Sequence, residues 1–252
     1  MPRFGGEGRM TGTSERPAFY ALAPGGWRDY WSLLHPPYTL WHLSYVVIGA
    51  SLAPVLHVGW LGETLLAFFL AMGLAAHALD ELNGRPLDTR IPDPVLWGIA
   101  LVGLSGAIGL GVHGAIEVSW WLWVFIAAGT FLVVAYNLEL LGGAVHSDVW
   151  FALAWGAFPV LTAYFAQTAT IRPTAVLAAA ACAAISFAQR VLSTPVRRLR
   201  RSISSVRGEL VTIDGAREQI DASALRSAPE RALRWLSVAM PLVAAATLLA
   251  RL

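Results

Sequence analysis

Residues 94–114 read PVLWGIALVGLSGAIGLGVHG, an apolar run without a single Asp, Glu, Lys or Arg. A helix needs roughly 20 mostly apolar residues to cross the ~30 Å hydrocarbon core of a bilayer, so this run predicts a transmembrane helix. Six other runs share its character, and the predicted spans are therefore about 38–58, 62–82, 94–114, 119–138, 148–167, 173–192 and 233–251. The sequence predicts an all-α, polytopic transmembrane helical bundle of about seven spans.

The overall composition agrees with a membrane protein. Apolar residues make up 56% of the 252 residues, charged residues only 13%, and the mean hydropathy is +0.58. A soluble domain carries about 25% charged residues, so a secreted disulfide scaffold, a disordered chain and an ordinary cytosolic enzyme are excluded. All 18 cationic residues are arginine. The lack of lysine excludes a lysine Schiff base as the centre of any chemistry.

The arginines predict the orientation. If the N-terminus is cytoplasmic, 16 arginines fall in cytoplasmic segments and only Arg172 and Arg251 fall outside. Cytoplasmic loops are enriched in arginine and lysine, so this topology satisfies the positive-inside rule and the opposite one violates it. We expect an integral cell-membrane protein with the N-terminus in the cytoplasm and the C-terminus outside.

The spans divide the chain into four segments: a cytoplasmic N-terminal segment (1–37), a six-span membrane core (38–192), a cytoplasmic basic loop (193–232) and a last span (233–252). Within the loop, Arg197–Arg201 is a basic run that either anchors the chain on anionic lipid or contacts phosphate. The Asp214-Gly215 pair predicts a hairpin turn within Gly208–Asp221. Ala222–Trp235 is typical of an amphipathic helix.

A first cluster of ionisable residues lies at the end of the second span. His77, Asp80 and Glu81 are spaced i, i+3, i+4 and share one helical face. Two carboxylates at a helix C-terminus meet the negative end of the helix dipole, which is unfavourable without a cation nearby. They either pair with Arg85 or Arg90 at a solvated helix end, or form a site for a hard cation such as Mg²⁺.

A second cluster follows the fourth span. Asn137 and Glu139 lie at an apolar helix end, and His146 and Asp148 follow after a Gly-Gly turn. Helix capping alone explains Asp148, but it does not explain Asn137 or Glu139. Side chains of two other spans are expected to line the same cavity, namely Trp41, His42, Tyr45, Gln189 and Arg190. Three further histidines lie at span ends and receive no role: His35, His57 and His113.

At these two clusters the sequence resembles the UbiA superfamily of membrane prenyltransferases. Those proteins carry an Asn-Asp-x-x-Asp-x-x-x-Asp motif after the second span, followed by an Arg-Pro-Ile-Pro-like segment. The matching positions here are Ala76-His77-x-x-Asp80-x-x-x-Gly84, Thr89-Arg90-Ile91-Pro92, Tyr136-Asn137 and the stretch from Asp148 through Gly156 to Pro159. The resemblance covers roughly residues 40–190.

The resemblance implies Mg²⁺-dependent ionisation or transfer of an isoprenoid diphosphate at the cytoplasmic face. It implies three sets of residues: catalytic Asp80, His146 and Glu139; metal-binding Asp80, Glu81, Asp88, His77 and Asp148; and substrate-binding Arg85, Arg90, Asn137, Tyr136, Gln189 and Arg190. The implied partners are an isoprenoid diphosphate, a hydrophobic acceptor and membrane lipids, with no nucleic acid.

The family's second acidic motif, after the sixth span, has no counterpart in Gln189–Arg198. Three consequences stay open: Glu139, Asp148 and Asp88 substitute for it, arginines hold the phosphate directly, or the chain no longer performs the transfer. Two other function classes therefore remain. One is a non-catalytic relative that binds a lipid or isoprenoid, and the other is a small proton-coupled transporter with Glu139 and Asp80 as relay groups.

Overall fold

The computed structural model describes residues 16–252, so the first 15 residues of the predicted N-terminal segment (1–37) lie outside the described residues. It contains eight helices: α1 (Trp27–Leu33), α2 (Pro36–Ser51), α3 (Val58–Leu82), α4 (Asp93–Glu117), α5 (Leu122–Asn137), α6 (Asp148–Thr168), α7 (Pro173–Arg201) and α8 (Ala222–Leu249). Two short strands, β1 (Gly208–Val211) and β2 (Arg217–Ile220), form an antiparallel hairpin between α7 and α8. The protein is a helical bundle.

Helices α2 to α8 run alternately between two ends of the bundle. At one end, Asn83 donates to the Asn137 carbonyl, Arg190 pairs with Asp148 at 2.8 Å, and Arg200 pairs with Glu230 at 2.5 Å. We call this the polar end. At the opposite, far end, three contacts join the other helix termini: Arg251 Nε with the Ser51 carbonyl, His57 N with Gln167 Oε1, and His113 with Glu63.

Five helices are long and apolar enough to cross a membrane: α3, α4, α6, α7 and α8. These contain five of the seven predicted spans. The other two predicted spans, 38–58 and 119–138, correspond to α2 and α5, which have only 16 residues each. Helix α2 ends at Ser51, shortly before Pro54, which cannot continue a helix. The count of seven spans and the orientation of the termini stay predictions.

Small residues bring the helix backbones into close contact. A Cβ atom on Gly156 in α6 would lie 2.7 Å from the Cys182 carbonyl oxygen of α7, and one on Gly103 in α4 would lie 2.6 Å from the Leu70 carbonyl of α3. Such contacts between small residues are how helices pack in lipid. Larger side chains fill the centre, where Leu96, Tyr136 and other buried residues form the main hydrophobic cluster.

Two helices change their winding in the middle of the bundle. Helix α3 is π-helical over Phe69–Ala76, and α6 is π-helical over Leu153–Ala157. The wider winding shifts which side chains point to the interior, and such segments are frequent at functional sites. Met72 belongs to the first segment and Trp155 to the second. Nothing in the predicted spans indicated either segment.

Candidate functional site: two adjoining cavities

A polar cavity lies at the polar end of the bundle. It is bordered by α2, α3, α5, α6, α7, the start of α8 and the stretch Pro17–Tyr20, which precedes α1. With its open mouth it has an empty volume of about 970 Å³. Seven of the predicted site residues line it together: His77, Asp80, Tyr136, Asn137, His146, Gln189 and Arg190. These seven side chains come from three separate helices, α3, α5 and α7, and from the loop before α6, and they converge at this end.

The two neighbouring carboxylates of the first cluster have different surroundings. Asp80 lines the cavity, and no residue in 16–252 donates a hydrogen bond to its carboxylate. Glu81 is 1% exposed and lies outside the cavity. Its carboxylate accepts hydrogen bonds from Leu87 N at 3.0 Å, Thr89 N at 2.9 Å and Thr89 Oγ1 at 2.8 Å. Glu81 therefore fixes the loop after α3, and it is not placed as a metal ligand.

The other residues predicted around this loop also lie outside the cavity. The Arg85 guanidinium donates to the Ile91 carbonyl at 2.6 Å and forms an ion pair with Asp93. Asp88 and Arg90 are exposed, and the Arg90 contact with the rest of the fold is a backbone hydrogen bond from its N–H to Asp29. The structure therefore corrects the predicted pairing of Asp80 or Glu81 with Arg85 or Arg90, because Arg85 closes its own loop.

The residues of the second cluster are likewise divided between the cavity lining and positions outside the cavity. His146 stacks on the Tyr136 ring with centroids 4.4 Å apart, and its Nδ1 lies 3.0 Å from the Tyr136 carbonyl oxygen. Glu139 is 54% exposed, 3.9 Å from His146, and does not line the cavity. Asp148 also lies outside the cavity, where its carboxylate pairs with Arg190. A relay between Asp80 and Glu139 through one cavity is therefore not formed.

Several lining residues were missed by the sequence analysis. His35 stacks on His77 with centroids 4.2 Å apart, and Tyr20 hydroxyl lies 2.6 Å from His35 Nδ1. No sequence pattern indicated that the chain before α1 folds back over the cavity. Arg197 and Arg201 also line it. Arg197 and Arg201 follow Arg190 by seven and eleven residues. This spacing places all three on one face of α7 and is the sequence signal that could have found them.

Tyr20 and His35 border the cavity outside the membrane-spanning helices, and both are held in their neutral forms. Burial, and then the nearby Tyr38, raises the pKa of Tyr20 well above its ordinary value. Burial lowers the pKa of His35, and the neighbouring His77, Arg201 and Arg197 lower it further. A neutral imidazole and a neutral phenol therefore face each other at this mouth near neutral pH.

Two buried polar groups in the cavity wall have no hydrogen-bond partner within the part of the chain that the structure describes: Tyr136 Oη and Gln189 Oε1. Tyr136 is 5% exposed and Gln189 is 3% exposed. Buried polar groups are nearly always hydrogen-bonded in folded proteins, and an unpaired one costs about 1–3 kcal/mol. Both groups border the same cavity, so a molecule bound there would supply their missing hydrogen-bond partners.

A second, apolar cavity lies directly beside the first. It lies between α3, α4, α5 and α6, has a similar empty volume of about 970 Å³ when its open side is included, and is lined mostly by apolar side chains. Met72 and Trp155 line both cavities. These two residues come from the two π-helical segments, so the unusual winding of α3 and α6 forms the wall between a polar and an apolar compartment.

The described residues assemble little of the predicted metal site. No group of three or more His, Cys, Asp or Glu side chains within residues 16–252 is arranged to hold a metal ion. Of the predicted metal ligands, only Asp80 and His77 line the cavity, and Asp80 is the only acidic one. Magnesium binding stays a prediction of the family resemblance.

Comparison of the chain with protein-family models, with curated proteins and with solved structures gives no match. The site therefore has to be interpreted from its own geometry.

Proposed function

We propose that the chain is an integral membrane protein that binds an isoprenoid diphosphate, with the head group in the polar cavity and the tail in the apolar cavity. The observation that carries the proposal is the contact of the two cavities across Met72 and Trp155. An allylic isoprenoid diphosphate has the same division, an anionic head joined to a hydrocarbon chain. The polar end then faces the cytoplasm, where the arginine-rich segments are predicted to lie.

Prenyl transfer is the reaction that these residues suit best. The allylic C–O bond of the donor would break, and the diphosphate would leave with the bonding electron pair beside the arginines of α7. The Trp155 and Tyr136 rings, 5.9 Å apart at the cavity boundary, are placed to stabilise the allylic cation through their π faces. A hydrophobic acceptor would form the new bond and lose a proton to His146, which lines the same cavity.

Non-catalytic binding of the same ligand is the second candidate. The observation that favours it is that Asp80 is the single acidic side chain lining the cavity among residues 16–252, because the resembled family holds its diphosphate with two acidic motifs. Both candidates predict the same binding and differ only in turnover. Incubating the protein with a radiolabelled prenyl diphosphate and a membrane lipid extract separates them, since only the enzyme releases inorganic diphosphate.

The binding itself is tested with three probes on the full chain in lipid nanodiscs: geranylgeranyl diphosphate, geranylgeraniol and inorganic diphosphate. We expect the complete molecule to bind at least ten-fold more tightly than either the tail or the head alone, because it fills both cavities. Geranylgeraniol binding as tightly as the diphosphate would refute a head-group site. Equal binding of inorganic diphosphate would refute a tail site.

A further inference from the structure

We propose that the anionic head group is held directly by an arginine face of α7, formed by Arg190, Arg197 and Arg201, and that its binding needs no divalent cation. The inference rests on the proposed function only in taking the tail of the bound ligand to be an isoprenoid chain. It concerns how the polar cavity recognises phosphate oxygens.

The spacing along α7 creates this face. Steps of seven and four residues return to the same side of an α-helix, so Arg190, Arg197 and Arg201 lie in one row. Ser193 lies beside this row, and both Ser193 and Gln189 also line the cavity. Arg198, one residue from Arg197, is exposed and does not line it. The basic run is therefore divided between cavity and surface.

The three arginines differ in how many contacts their guanidinium groups make with other residues of the protein. Arg190 pairs with Asp148 and lies 5.2 Å from the centre of the Phe151 ring. Arg201 donates to the Pro17 carbonyl at 3.3 Å. Arg197 donates only one long hydrogen bond, 3.4 Å to Thr194, within the described residues. A guanidinium has five N–H donors, so Arg197 keeps most of them for a ligand.

The charge balance of the cavity favours an anion. Arg190 is already paired with Asp148, but Arg197 and Arg201 face a single carboxylate among the described lining residues, Asp80, and both are close enough to act electrostatically on it. A divalent cation bound to Asp80 would meet the repulsion of both arginines. Phosphate oxygens instead form charge-assisted, bidentate hydrogen bonds with guanidinium groups.

The unpartnered groups of the wall give independent support for a ligand with hydrogen-bonding oxygens. The buried Tyr136 hydroxyl is free to donate to a phosphate oxygen. The Gln189 side chain ends in an oxygen and an NH₂ group that exchange places when the amide is rotated, so it too presents a donor. The other acidic side chains that a metal would need are engaged elsewhere, since Glu81 binds its loop and Asp148 binds Arg190.

The test measures the affinity of geranylgeranyl diphosphate for the full chain in nanodiscs, in EDTA and in Mg²⁺. We expect the two dissociation constants to agree within about two-fold. We expect Arg197→Ala to weaken binding at least ten-fold, Arg197→Lys to weaken it less, and the matched control Arg198→Ala to leave it unchanged. Thermal unfolding of each variant shows that the fold is retained.

The outcomes separate this inference from the proposed function. Binding that disappears in EDTA and returns with Mg²⁺ overturns the arginine site and leaves the proposed function standing. Inorganic diphosphate that binds in EDTA as tightly as the prenyl compound, and is lost in Arg197→Ala, supports the arginine site and refutes the tail site. No binding of either probe under both conditions overturns both.

Discussion

The two cavities of this bundle have similar volumes and a common wall, yet their linings differ in polarity. The polar cavity collects ionisable side chains from the ends of helices and from the segment before α1. The apolar cavity is built from the middle and far parts of α3 to α6, where Glu63 is its one ionisable lining residue within the described chain. Two side chains, Met72 and Trp155, separate them. The comparison shows how a helical bundle can place a polar and an apolar compartment side by side.

A similar contrast exists one residue apart within the polar end. Asp80 and Glu81 are consecutive carboxylates, but one faces the cavity and the other is enclosed by the loop after α3. Successive residues on an α-helix point about 100° apart, which is enough to give the first a ligand-facing position and the second a structural one.

The largest effect is expected on stability, from Glu81→Gln. The amide oxygen can still accept hydrogen bonds from Thr89, but the new NH₂ group faces the Leu87 N–H, and two donors are left opposed in a buried site. We expect a loss of about 2–3 kcal/mol in the free energy of unfolding. The measurement is unfolding in detergent–SDS mixed micelles.

Asp80→Asn is the matched control for this stability prediction, because no described residue hydrogen-bonds to the Asp80 carboxylate. It should change the free energy of unfolding by less than about 0.5 kcal/mol. Equal destabilisation by the two variants would contradict the assignment of one carboxylate to the fold and the other to the cavity.

The sequence predicts the helices and the end of the bundle that carries the site, because hydropathy and the position of polar residues at span ends are local signals. It places Asp80, Tyr136, His146 and Arg190 near one another for that reason, and the structure brings them to one cavity. The sequence could not show which of Asp80 and Glu81 faces the cavity, because either carboxylate fits the helical spacing of the first cluster.

Tertiary features explain what sequence reasoning missed. The return of Pro17–Tyr20 over the cavity depends on contacts such as Arg201 with the Pro17 carbonyl, which join residues 184 positions apart. The π-helical winding around Met72 and Trp155 has no hydropathy signal, so the division into two compartments was not predicted. For Arg197 the sequence leaves both a lipid anchor and a phosphate contact open, because a basic run at a span end usually serves as an anchor whether or not some of its side chains face a cavity.

An intermediate effect is expected from Trp155→Ala, which removes most of the wall between the compartments. The indole is 7% exposed and packs edge-on against Tyr136. Its loss joins the two spaces, so long prenyl tails gain room while short ones lose contact area. We expect the ratio of affinities for C20 over C10 prenyl diphosphates to rise by about ten-fold, equivalent to about 1.4 kcal/mol.

The control for this change of selectivity is Trp97→Ala. Trp97 is 46% exposed and lines neither cavity, so its removal should leave the ratio unchanged. An unchanged ratio in Trp155→Ala would show that the tail does not pass this wall.

The smallest effect is expected from pH, and it belongs to the polar compartment alone. The pKa of His35 is lowered in the folded protein, chiefly by burial, while the unfolded chain titrates near 6.5. Below that pH the unfolded chain binds a proton that the folded protein excludes, so stability is complete above about pH 6.5 and declines as the pH falls.

His35→Asn removes the titrating ring and keeps a residue type that tolerates the positive φ of 45° at this position. When the pH is lowered from 7.5 to 5.5, the melting temperature of the wild type should therefore fall by on the order of 2–4 °C more than that of the variant. Equal losses would mean that the ring accepts its proton without cost, and that the contact with Tyr20 does not shield it from water.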